Sequence, residues 1–114
     1  MITRQVHPPL PAECRVHGFL YEADDVRQLS EDMLDVVLPH GLLVTAGWYP
    51  DGDANGCYRI CIYRDYEVLI EPITTKDVDN AAAEVCQLVA TWMVSNISAA
   101  TDTDETFTRY REAA

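Results

Sequence analysis

Basic side chains are scarce in this chain. Lysine occurs once, at Lys76, and seven arginines bring the bases to eight, against nineteen acids, for a net charge of −11. A surface so short of positive charge repels phosphate backbones, which excludes nucleic-acid binding by charge neutralisation. An anionic membrane leaflet repels it equally. Long apolar runs are missing too: none approaches the roughly 20 residues that cross a bilayer. The four cysteines are too few for the dense disulfide framework of a small secreted domain, so they are expected to be reduced and mostly buried. The opening Met1-Ile2-Thr3-Arg4-Gln5 leads into prolines rather than an apolar signal core. The cytoplasm is therefore the expected compartment.

What the chain does contain is enough for one core. At 12.8 kDa and 48% hydrophobic residues it is a globular chain of single-domain size. Its folded surface should be about 6,300 Å² against about 18,600 Å² extended, so roughly two thirds is buried on folding. Residues 1–12, with His7-Pro8-Pro9-Leu10-Pro11, read as an extended or polyproline-like lead-in, neither strand nor helix. Residues 13–97 read as the domain, and 98–114 as a polar tail, mobile or holding a short helix around Thr106–Glu112. An extended segment is expected over 13–21, weakened by Gly18.

Two helices are predicted. Over 23–38, Val26, Leu29, Met33, Val36 and Val37 recur at three- and four-residue steps, and Pro39 and Gly41 end the pattern. Its outer side would carry Glu31, Asp32 and Asp35, an acidic face. Over 77–96, Val78, Ala81, Ala82, Val85, Leu88, Val89 and Trp92 form a wide apolar stripe, with Thr74 or Thr75 as cap and Asp77 and Asp79 in the first turn. Between them lie three strands whose even positions are apolar: 42, 44, 46 and 48; then 58, 60 and 62; then 68 and 70. Keeping that face together sets Tyr58 opposite Trp48 and Cys57 opposite Tyr49. In the second hairpin it sets Ile60 opposite Ile70, Ile62 opposite Val68 and Arg59 opposite Glu71, across a three-residue loop Arg64-Asp65-Tyr66. The expected architecture is an α+β two-layer sandwich, order β?-α-β-β-β-α, with both helices on one face of an antiparallel meander of three or four strands. In outline this order resembles the double-stranded-RNA-binding domain. That module needs a basic start to its second helix, where Asp77-Val78-Asp79 stands here.

Few patterns carry chemistry. Asp51-Gly52-Asp53-Ala54-Asn55-Gly56 resembles the start of an EF-hand calcium loop, which implies Asp51, Asp53 and Asn55 as ligands of a weak calcium site. Ile62 stands where the bidentate glutamate belongs, and the same residues are strong turn formers for a hairpin. Cys14 and His17 have a metal-ligand spacing, but four converging ligands are needed for zinc. Cys57 and Cys61, four apart on one strand, lie about 13 Å from each other, too far to share an ion or a disulfide. No nucleophile elbow or phosphate-binding glycine loop is present, and His7, His17 and His40 stand in no recognisable catalytic frame.

The odd face of the sheet is too apolar and aromatic for a plain solvated surface. It would carry Leu43, Tyr49, Cys57, Arg59, Cys61, Tyr63, Leu69 and Ile73, unless residues 13–21 or the C-terminal tail cover it. Tyrosine and arginine dominate protein interfaces. The chain is therefore expected to be a non-enzymatic interaction module without a cofactor. It would bind a basic protein partner, or a second copy of itself, through Tyr49, Arg59, Tyr63, Leu69 and Glu71 or through the acidic helix. Inhibitors, immunity proteins and chaperone-like adaptors share this size, acidity and build. A cation- or small-ligand-binding domain centred on the 51–56 loop is the alternative.

Overall fold

In the computed structural model residues 1–102 are described, the side chains as far as Val94. The fold is α+β, with two antiparallel sheets and one long helix among the described residues. β1 (Ile2–Val6) pairs with β3 (Leu20–Ala23) in a two-stranded ribbon. The larger sheet runs β2 (Arg15–Gly18), β4 (Leu34–Val37), β5 (Leu42–Tyr49), β6 (Cys57–Arg64). On the far side of β6, β7 (Glu67–Val68) and β8 (Ile73–Thr75) share its free edge, β7 along Tyr63–Arg64 and β8 along Tyr58–Ile60.

The central hairpin follows the alternation in the sequence. Trp48 pairs with Tyr58 and Tyr49 with Cys57, as expected, and the Trp48 and Tyr58 rings meet edge-on at 5.1 Å. Leu42, Val44, Ala46, Ile60 and Ile62 are all buried beneath α1 (Val78–Asp102). The helix shows the predicted stripe: Val78, Ala81, Ala82, Val85, Leu88 and Val89 are buried, with Trp92 packed at its edge. Burying Leu88 and Val89 contributes about 1.5–3 kcal/mol each. Two of its N-terminal donors go to Asp77, whose carboxylate accepts from Asp79 N–H at 2.7 Å and Asn80 N–H at 3.3 Å, while the Thr75 hydroxyl accepts Asp77 N–H at 3.2 Å just ahead of the helix. The helix continues past the polar switch at Ser98 to Asp102; the short helix expected at 106–112 lies outside the described residues.

Four expectations are corrected. There is no helix over 23–38: that stretch holds the end of β3, a single 3₁₀ turn at Val26–Gln28, and β4. Among the described residues one helix, not two, covers the sheet. Residues 2–6 form a strand, because the prolines that forbid one begin only at position 8. The second hairpin turns in two residues, Asp65 (φ 50°) and Tyr66 (φ 72°), so Tyr63 pairs with Val68 and Arg64 with Glu67. That shift exchanges Val68 and Leu69: Val68 is 54% exposed and Leu69 packs against the core, while Ile70 packs there as expected and Arg59 stands opposite Thr74 rather than Glu71.

The N-terminal segment is tied down at several points. Arg4 bridges Glu22 at 3.1 Å and Asp79 at 2.9 Å, joining the ribbon to the start of the helix. Pro9 and Cys14 then run against the helix, touching Cys86 and Met93. All four cysteines are free; Cys61 is buried and the others are half-buried.

Candidate functional site

The face of the sheet turned away from α1 carries one row of apolar side chains straight across four strands. The register places Val37 beside Leu43, Leu43 beside Tyr63 and Tyr63 beside Val68. At about 4.8 Å per strand this row spans about 14 Å. The neighbouring row, two residues along, is Asp35, Thr45 and Cys61.

Beyond it, just ahead of β4, the chain bulges. Leu34 pairs with Ala46, and the next bond to β5 runs from Trp48 N–H to Ser30 O at 2.8 Å, so Glu31, Asp32 and Met33 stand opposite Gly47 alone. The bulged backbone lies on Gly47, where a Cβ would come within 1.9 Å of the Glu31 carbonyl oxygen. A glycine inside a strand is the sequence signal for such an approach. The 51–56 loop holds this strap in place. The Asp51 carboxylate accepts from Glu31 N–H, and Gly52 N–H donates to Leu29 O at 2.8 Å. Asp53 accepts Asn55 N–H at 2.8 Å, and its carbonyl accepts the Trp48 indole N–H, also at 2.8 Å. The calcium-like spacing thus closes a hairpin and pins a bulge. Among the described residues no group of three or more His, Cys, Asp or Glu side chains is placed to hold a metal ion.

Strap and sheet enclose a groove of about 520 Å³. Leu43, Thr45, Tyr49 and Tyr63 line it, Glu31, Asp32, Asp35 and Val37 form one side, and Gly41, Asp65 and Tyr66 complete it. The acidic residues read as one face of a helix and the aromatic residues read as one face of a sheet belong to the same concavity. Of the binding residues expected from sequence, Tyr49 and Tyr63 line it. Arg59 lies on the same face, its guanidinium 5.2 Å from the centre of the Tyr49 ring. Leu69 and Glu71 are not part of it: Leu69 turns to the core, and Glu71 is exposed on the connection between β7 and β8.

The groove is electrostatically negative. Glu31, Asp32 and Asp35 bring three carboxylates to it, with Asp65 a fourth, while the ion pairs at Asp24, Glu22, Asp79 and Asp25 lie elsewhere. Burial pushes the Tyr49 phenol above its ordinary value, helped by Tyr63, Glu31, Cys61 and Asp32 around it. Tyr63 is raised for the same first reason and by its hydrogen bond with Cys61, while a hydrogen bond with Thr45 pulls the other way. Burial, the first cause in both, penalises a charge of either sign, and the neighbouring carboxylates add to it for the Tyr49 phenolate.

Comparison of the chain with protein-family models, curated proteins and solved structures returns no match. No helix among the described residues is long and apolar enough to cross a membrane.

Proposed function

We propose that this protein is a non-enzymatic interaction module that holds a basic protein partner on the outer face of its sheet. The observation that carries the reading is the convergence of Glu31, Asp32 and Asp35 with Leu43, Tyr49 and Tyr63 in one groove. Apolar and aromatic surface supplies the area that a partner buries, and the carboxylates select its sign of charge. Self-association through the same face would bring like charges together, so a basic partner is favoured over a second copy. The volume lies within the roughly 300–1,000 Å³ of clefts that enclose a ligand group.

The test is a paired capture. Wild-type protein and a groove variant carrying Leu43→Glu and Asp35→Lys, matched in thermal stability, are exposed to extract of the source cells. A partner retained by the wild type, lost by the variant and released as salt rises supports the reading. Equal retention by both proteins, or binding indifferent to salt, defeats it.

A further inference from the structure

The layout of the groove specifies more than a sign of charge. Its apolar row (Val37, Leu43, Tyr63) is followed, two residues along β4 and β5, by a row that holds Asp35 and Thr45, and Glu31 and Asp32 stand further on, opposite Gly47. Two residues of strand are about 6.7 Å. An extended peptide has the same repeat on each of its faces, so a segment lying along β5 would set side chains i and i+2 on the two rows together. The first position meets Leu43 and Tyr63, which suits an aliphatic or aromatic side chain. The second lies over Thr45, one strand from the Asp35 carboxylate with Glu31 and Asp32 beyond, which suits the reach of arginine or lysine. The protein supplies its own example of the chemistry: Arg59 lays its guanidinium over the Tyr49 ring at 5.2 Å, on the same face.

We infer that the groove recognises an extended segment of a partner in which an apolar residue and an arginine or lysine stand two positions apart. This rests on the proposed interaction function and narrows it to a motif. Net charge alone would attract any basic chain; the two parallel rows discriminate spacing.

The probe is a set of short peptides in a glycine–serine background, titrated into the full-length ¹⁵N-labelled protein. One peptide carries leucine and arginine two positions apart, one carries them adjacent, one has arginine replaced by glutamate and one has leucine replaced by serine. The i, i+2 peptide should saturate shifts at the amides of Asp35, Leu43, Thr45 and Tyr63. The adjacent-spacing and serine peptides should bind roughly five- to tenfold more weakly, and the glutamate peptide should produce no shift there. Asp35→Asn, an exposed and conservative change, should weaken the i, i+2 peptide by a similar factor while leaving the melting temperature in place. Equal affinity for the adjacent and i, i+2 peptides overturns the motif. So do shifts confined to other surfaces, or groove amides that respond to protein concentration instead of peptide, which would mark a second copy as the occupant. If paired capture finds a groove-dependent partner while spacing is not discriminated, the motif falls and the interaction function stands.

Discussion

The carbonyl oxygen of Glu31 rests on Gly47, leaving 1.9 Å where a methyl group would need twice that. This contact makes the groove possible, because it lets an acid-bearing strap lie on the open side of the sheet instead of beside it. Gly47→Ala should therefore cost about 1–3 kcal/mol or more through forced backbone movement, read as a lower urea midpoint with unchanged slope. The amides of Glu31 and Asp32 should move most. A variant as stable as the wild type would show that the strap does not sit there.

Asp51 holds the same strap from the other side through the Glu31 N–H. Asp51→Ala removes a charged acceptor and should destabilise the fold by about 1.5–3 kcal/mol. Because the loop's polar groups are engaged with backbone, calcium should neither raise the wild-type melting temperature nor restore the variant. A calcium-dependent rise in melting temperature, lost in Asp51→Ala, would instead support the metal reading of residues 51–56.

How much of this could be read in advance depends on what enforced each pattern. The even positions of β5 and β6 and the stripe on α1 were legible because burial on a regular element repeats with that element's own period. Residues 23–38 misled because Val26, Leu29, Met33 and Val36 reach the interior from a turn, a loop, a bulge and a strand, and fall at helical spacing by coincidence. The competing signals were local: the β-branched pair Val36-Val37, the alternation of Leu34 and Val36 against Asp35, and turn formers at Asp24, Asp25 and Ser30. What decided it was pairing with β2 and β5, which no local window contains. The groove was half legible. Tyr49 and Tyr63 followed from strand parity, but Glu31 and Asp32 reach it only through a bulge whose one sequence trace is Gly47.

The turn at Asp65-Tyr66 makes the parity change testable. Val68 lies on the open face and Leu69 against the core. Val68→Thr should change stability by no more than about 0.5 kcal/mol, and Leu69→Ala should lower it by about 2 kcal/mol. Chemical denaturation of the two variants checks this; the reverse ranking would restore the register expected from sequence.

Tyr58 connects the sheet to the ribbon, its hydroxyl donating to Tyr21 O at 2.8 Å. Burial, with the negative charge of Glu22 next in weight, pushes its phenol up to about 12. In the unfolded chain the same group ionises near 10. The folded state therefore keeps its proton longer, and the stability contributed by Tyr58 is whole below about pH 10 and drains as pH rises toward 12. Tyr58→Phe should lose about 0.5–1.5 kcal/mol at neutral pH and show a shallower alkaline decline, with Tyr49 and Tyr63, raised in the same direction, accounting for part of what remains. Urea midpoints measured from pH 7 to 12 decide it: an unchanged alkaline slope in the phenylalanine variant would remove Tyr58 from the cause.

Tyr66 separates stability from binding. It is 99% exposed, lines the groove, and holds a left-handed φ of 72° that a bulky side chain adopts at a cost. Neither packing nor turn formation calls for a tyrosine there, since glycine takes that conformation freely. Tyr66→Gly should therefore raise stability by about 0.5–1 kcal/mol, while weakening whatever occupies the groove by removing an exposed aromatic ring from its rim. Melting temperature and peptide titration on the same preparation test both halves. A gain in stability with no change in binding would leave the ring at position 66 without a part in recognition, and a loss of stability would mean that the turn needs the tyrosine itself.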